Sequence, residues 1–142
     1  MIKYSLLGVV IIIIVGLYIW SISQLPIGLE FYVFDTKGEP SYFIRTPDDE
    51  RILINGGANS GIIRYLTDVI PFYSRRIDKV IITSDDANNV TGLVDVINRY
   101  KVGSIIIPKI LAKEAGFSSS TDKIYETFID SVNKLKIPVE KN

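Results

Sequence analysis

The sequence predicts a mixed α/β domain that follows an amino-terminal transmembrane helix. Residues 4–29 carry no charged side chain. Three short segments rich in β-branched and aromatic residues come next, which favours strands. Apolar runs then alternate with apolar residues at helical spacing, which is typical of strand–helix units. The 142 residues suffice for one domain and are too few for two.

The uncharged segment is long enough to span a bilayer. A helix over Tyr4–Ile22 would be about 28 Å long, close to the thickness of the hydrocarbon core. Tyr18 and Trp20 would lie at its far end, where aromatic rings favour the interface. A cleaved signal peptide is the alternative, since Ser21–Ser23 is a weak cleavage site. The length of the apolar core favours an uncleaved anchor.

The charges beside this segment predict an orientation. Lys3 and the α-amino group are the positive charges next to the anchor, and positive charges favour the cytoplasmic side. We therefore expect a single-pass membrane protein whose carboxyl-terminal domain is extracytoplasmic. The chain divides into an anchor and short linker at 1–27 and a domain at 28–142.

The first part of the domain reads as an antiparallel meander. Leu29–Phe34, Tyr42–Thr46 and Arg51–Ile54 are the predicted strands. Asp35–Pro40 and Pro47–Glu50 are the turns between them, because proline and carboxylates favour turns.

The second part alternates helices with buried strands. Continuous apolar runs at Lys79–Thr83 and Ser104–Pro108 predict strands covered on both faces, and Ile137–Val139 begins another. The periodic helical positions are Ile62, Ile63, Leu66, Val69 and Ile70, then Val90, Leu93, Val94 and Ile97, then Ile124, Phe128, Val132 and Leu135. Asn88 or Asn89 is the expected N-cap of the second helix. This alternation implies right-handed parallel crossovers.

Composition excludes several kinds of chemistry. The chain has no cysteine, so disulfides, thiolate metal sites and cysteine nucleophiles are absent. It has no histidine, which excludes imidazole-ligated zinc and histidine-based acid–base mechanisms. Sixteen basic residues balance sixteen acidic ones, so charge does not support nucleic-acid binding.

Two loops are placed where ligands bind in parallel sheets, beyond the carboxyl ends of the strands. They are Ile52–Asn59 and Thr83–Leu93. One hypothesis is therefore a small α/β binding module whose two loops together hold a polar ligand.

Five segments carry a resemblance to a known family. They are Phe34–Ser41, Ile44–Asp48, Ile54–Gly57, Arg76–Val80 and Tyr100–Pro108. In their order and spacing, Gly28–Glu140 resembles the metallo-β-lactamase fold, in the branch fused to ComEC-type competence channels and their membrane-anchored relatives. The resemblance implies a four-layer α/β-β/α sandwich of two similar halves, of which this chain supplies about the first.

The chemistry of that family does not carry over. Its His-x-His-x-Asp-His motif binds two zinc or manganese ions that activate a water. The matching positions here are Ser84, Asp86, Asn88 and Asn89. The aspartate of the family's Asp-Gly-Gly is Asn55, its Gly-Gln-Gly-Asp turn is Lys37–Pro40, and Asp35 is retained.

Loss of the ligands as a group implies an inactive protein. Serine and asparagine are weak, neutral ligands, and a two-metal site needs negative charge. We therefore expect no bound metal cofactor and a membrane-anchored, catalytically inactive protein with a structural or interaction role.

An active alternative remains open. Asp35, Asp85 and Asp86 would converge on a hard cation such as Mg²⁺ or Ca²⁺, in a divalent-metal-dependent hydrolase or phosphodiesterase with oxygen-rich ligands. Against this, Asp85 and Asp86 are also typical caps of a loop or a helix start, and Asn88 and Asn89 are typical N-caps.

A half-sandwich would leave one face of its sheet uncovered. A sheet with helices on one side must bury its other face, and the apolar runs Val80–Ile82 and Ile105–Ile107 predict that this face is apolar. Either the natural chain is longer, or it is a fragment or split product, or a second copy or another chain covers the face.

Overall fold

The computed structural model describes residues 2–23, 28–84, 86–107 and 120–141. These residues form one sheet and four helices. In chain order the elements are α1 (Ile2–Ser23), β1 (Glu30–Phe34), β2 (Ser41–Arg45), β3 (Arg51–Ile54), α2 (Ile62–Val69), β4 (Arg76–Ile81), α3 (Ala87–Arg99), β5 (Lys101–Ile107), α4 (Ser120–Leu135) and β6 (Val139–Lys141).

The six strands lie in the sheet in their chain order, β1 to β6. The pairs β1–β2 and β2–β3 are antiparallel and are joined by short turns, which confirms the predicted meander. From β3 to β6 every pair is parallel. Because a parallel connection must cross back over the sheet, α2, α3 and α4 each provide one crossover.

The hydrophobic core lies between the sheet and these three helices. Each of the strands β2 to β5 turns alternate side chains toward the helices, and the cluster they form is continuous with the helix residues. Its fully buried strand residues are Phe43, Leu53, Ile77, Val80 and Ile105. On the helices, the buried positions include Ile62, Leu66, Val90, Leu93, Val96, Ile97, Phe128 and Val132. The helical periodicity therefore identified the buried faces, except at Leu135, which is 44% exposed.

A buried arginine holds the amino ends of β3 and β4 together. The Arg51 side chain donates to the Ser74 carbonyl at 2.7 Å, and its backbone N–H donates to the Asp78 carboxylate at 2.9 Å. Asp49 lies 3.4 Å from Arg51 and accepts from Arg45 at 2.7 Å. Partial burial alone would raise the pKa of Asp49, but the Arg45 hydrogen bond and the neighbouring guanidinium charges together lower it.

The other side of the sheet carries a second apolar surface, as the apolar strands predicted. Its side chains alternate with the buried ones along each strand, and register places them side by side. We define the open sheet face as Phe31, Val33, Tyr42, Ile44, Ile52, Ile54, Ile81 and Ile106. Phe31 and Val33 are 58% and 59% exposed, and the other six are partly exposed. No helix among the described residues packs on this face as α2, α3 and α4 pack on the other.

The amino-terminal helix corrects one prediction. Among the described residues, no helix combines the length and the apolarity that crossing a bilayer requires. The predicted transmembrane helix over Tyr4–Ile22 and the predicted single-pass membrane localisation are therefore wrong.

Candidate functional site

The candidate site lies at the carboxyl ends of β3 and β4, where the loop after β1 also arrives. Thr36 in that loop is 3% exposed, and its hydroxyl donates to the Glu39 carbonyl at 3.1 Å. A Cβ added to Gly57 would lie 2.3 Å from the Thr36 Cβ, and Gly57 has a φ of +75°. Glycine is therefore required at 57, because only it lets the two loops touch.

Asn55 fastens the end of β3 to the end of β4. It has a φ of +59°, a conformation that asparagine tolerates better than most residues. Its side-chain oxygen accepts from the Thr83 backbone N–H at 3.0 Å, and its side-chain nitrogen donates to the Thr83 hydroxyl at 2.8 Å. Asn55, at the position that the resemblance matches to the family's aspartate, therefore joins the ends of two strands through its side chain.

The glycine loop after β3 packs directly on the first turns of α3. The Gly56 N–H donates to the Asn89 carbonyl at 2.7 Å, and the Gly92 N–H donates to the Gly57 carbonyl at 3.0 Å. A Cβ on Gly92 would lie only 2.0 Å from the Gly56 oxygen. The two loops predicted to hold a polar ligand are therefore adjacent, but their own backbones fill the space between them.

Two of the four positions that the resemblance matched to metal ligands, Ser84 and Asp86, lie at the start of α3. Asp86 is the N-cap, and its carboxylate accepts from the Asn88 N–H at 2.9 Å. The Ser84 hydroxyl accepts from the Asp86 N–H at 3.2 Å. The prediction that Asp86 caps a helix start is confirmed, and the prediction that Asn88 or Asn89 is the N-cap is wrong because the helix begins earlier. Asp85 lies outside the described residues.

The other two degenerate positions meet the loop after β1. Asn88 is exposed, and its side chain lies beside Gly38, where a Cβ would come within 3.3 Å. Asn89 is fully buried, and its side-chain nitrogen donates to the Glu39 carboxylate at 3.0 Å. Within the described part of the chain, the Asn89 side-chain oxygen is a buried atom with no hydrogen-bond partner.

Asp35, which the resemblance matched to a family residue, lies on the α2 side of this edge. Its carbonyl accepts from the Tyr65 hydroxyl at 2.9 Å. It lines an open cleft of about 300 Å³ together with Lys37 and Arg64. Arg64 lies 5.4 Å from the centroid of the Tyr65 ring, so the cleft combines one acid with two cations and an aromatic face.

The donor set does not fit the two-metal centre that the resemblance implies. Across residues 2–23, 28–84, 86–107 and 120–141, no three carboxylates come together in an arrangement that could hold a metal ion. The side-chain oxygens of Ser84, Asn55 and Asp86 already accept backbone N–H groups, and a two-metal centre requires several free anionic ligands. The hypothesis that Asp35, Asp85 and Asp86 together bind a hard cation stays a prediction, because Asp85 lies outside the described residues.

Sequence reasoning missed the pairing of Glu39 with Asn89. Fifty positions separate the two residues, and neither has a local pattern that indicates the other. Thr36 was also missed, because a threonine in a polar turn gives no sign that it will be buried against Gly57.

Comparisons with known proteins leave the family open. No protein family matches the chain, and no curated protein matches it either.

Proposed function

We propose that this chain is a noncatalytic domain with the scaffold of the metallo-β-lactamase fold, and that its role is structural or depends on binding another protein. The observation that supports this proposal is how polar side chains are used at the carboxyl edge of the sheet. Asn55 and Ser84 hold loops and Asp86 caps a helix.

Capping and clamping compete with metal binding. The Asp86 carboxylate accepts from a helix N–H, the Asn55 oxygen accepts from Thr83, and the Ser84 oxygen accepts from Asp86. A bound cation would have to displace these hydrogen bonds, each worth about 1 kcal/mol. Neutral serine and asparagine ligands offer little to offset that cost.

One observation favours the active alternative, a divalent-metal-dependent hydrolase with oxygen-rich ligands. The Asn89 side-chain oxygen is buried and lacks a hydrogen-bond partner among the described residues, and the Glu39 carboxylate lies on the same amide. A buried acceptor of this kind is uncommon in folded proteins. It gives a hard cation two candidate oxygens, and Asp86 caps the same helix, α3.

The experiment that tests the proposal is titration of the full chain with Mn²⁺ and Zn²⁺ by calorimetry, together with hydrolysis of a chromogenic phosphodiester. We expect no affinity tighter than about millimolar, a binding free energy near −4 kcal/mol, and no metal-dependent hydrolysis. Micromolar binding and turnover that Asp86→Ala or Asp35→Ala abolishes would overturn the proposal. Asp95→Ala is the matched control, because Asp95 lies on α3 away from its amino end.

A further inference from the structure

The open sheet face is a continuous surface in two rows. By register, the first row is Phe31, Ile44 and Ile52, and the second is Val33, Tyr42, Ile54, Ile81 and Ile106. The rings of Phe31 and Tyr42 stack with centroids 5.8 Å apart, which joins the two rows at one end. Five adjacent strands therefore contribute to one apolar patch.

The size of the patch limits how tightly a partner can bind. Strands about 4.8 Å apart and rows about 7 Å apart give the patch a projected area on the order of 350 Å². Contact over the whole sheet would cover roughly 500 Å² on each partner, and a total near 1,000 Å² is at the lower limit of specific interfaces. The face thus suits a partner that binds reversibly, with a dissociation constant on the order of micromolar.

The charges on the face favour an uncharged contact. Lys79 continues the first row beyond Ile52, and its ammonium lies 2.7 Å from the Glu50 carboxylate. Glu140 continues the second row beyond Ile106, and its charge acts on the same Lys79. Because these charges are already paired, the face offers little attraction to nucleic acid or an anionic surface. A chain of zero net charge also does not repel its own copy.

The two ends of the patch are complementary to each other. The bulky rings of Phe31 and Tyr42 lie on β1 and β2, and the aliphatic Ile81 and Ile106 lie on β4 and β5. A two-fold axis that runs along β3, between two facing sheets, places the aromatic end of each copy over the aliphatic end of the other. Such a contact uses the same patch on both partners.

We propose that the partner of the open sheet face is a second copy of this chain, packed sheet against sheet about an axis along β3. This inference rests on the interaction role proposed above and names its partner. The two sheets would lie about 10 Å apart, with Ile54 of each copy close to the axis.

Sedimentation velocity of the full chain tests the proposal, over two decades of concentration around the micromolar range. All samples contain the same mild non-ionic detergent to cover α1. Phe31→Asp is the disrupting variant, and Phe72→Asp is its control because Phe72 is 81% exposed on the loop before β4. We expect the wild type and Phe72→Asp to form the same reversible dimer and Phe31→Asp to weaken it at least tenfold. A monomeric wild type overturns the proposal. Association that Phe31→Asp leaves unchanged also overturns it, because such association would run through another surface such as α1.

A crosslinking experiment keeps the proposal testable if Phe31→Asp fails to fold. The chain has no cysteine, so Ile54→Cys supplies a single thiol. A bismaleimide that spans about 10 Å should join two copies of Ile54→Cys and should not join Phe72→Cys. Equal crosslinking of both variants would contradict the axis along β3.

The two proposals fail in different assays. Loss of the dimer leaves the metal and hydrolysis results unchanged and refutes only the second-copy partner. Metal-dependent turnover refutes the noncatalytic role whether or not the chain dimerises.

Discussion

Asn55 gives the sharpest test of the structural role assigned to the carboxyl edge. We consider Asn55→Ala and Asn55→Gly, with Asn98→Ala as control. The native side chain is 4% exposed, and it makes hydrogen bonds to the Thr83 backbone and hydroxyl. Asn98 also bonds a backbone carbonyl, at 2.7 Å, but it lies exposed on α3.

The expected cost can be worked from two separate contributions. Loss of the two hydrogen bonds to Thr83 costs about 1 kcal/mol each. Alanine at a φ of +59° adds about 1 kcal/mol of backbone strain, which glycine does not incur. We therefore expect about 3 kcal/mol for Asn55→Ala and about 2 kcal/mol for Asn55→Gly. Asn98→Ala should stay within about 0.5 kcal/mol, because alanine favours helix.

The assay is urea unfolding followed by near-ultraviolet circular dichroism. This signal reports the ring packing on the sheet, where Phe34 and Tyr65 stack with centroids 5.1 Å apart. The free energies of unfolding should fall in the order Asn98→Ala, Asn55→Gly, Asn55→Ala. If Asn55→Ala costs less than about 1 kcal/mol, the side chain does not clamp β3 to β4, and the reasoning is refuted.

Two further predictions concern close packing and charge. Gly92→Ala should destabilise the protein by more than about 3 kcal/mol, because the added Cβ would lie 2.0 Å from the Gly56 oxygen. Gly61→Ala is the control and should cost less, since its Cβ meets only the end of a side chain. The urea unfolding midpoints of the two variants measure the difference. Arginine neighbours lower the pKa of Asp49 below the ordinary 3.8, so its stabilisation is present above about pH 4 and disappears as pH falls through the lowered pKa. The difference in unfolding free energy between wild type and Asp49→Asn should therefore shrink below about pH 4, and a difference independent of pH would contradict this assignment.

The strands were predictable because local patterns determine them. The apolar, β-branched segments at β1, β2 and β3 lie within a residue or two of their predicted bounds. Helical spacing also identified the buried faces, since Leu66, Leu93 and Phe128 all lie in the core. Periodicity carries this information because burial of one face is what selects the residues.

The site was less predictable because its contacts join distant residues. Asn89 was expected to cap a helix, but the cap is Asp86 and the Asn89 side chain pairs with Glu39. The apolarity of residues 4–22 predicted a membrane span that the described helices do not provide. Composition describes a segment's preference, whereas a site depends on which loops the topology brings together.

The central claim is that the polar groups at the carboxyl edge stabilise the fold and do not bind a catalytic metal. Thermal unfolding of the full chain with and without about 1 mM Mn²⁺ tests it most directly, because a ligand at a thousand times its dissociation constant adds about 4 kcal/mol of stability. We predict an unchanged midpoint. A rise of more than about 10 °C that Asp86→Ala removes would contradict the claim.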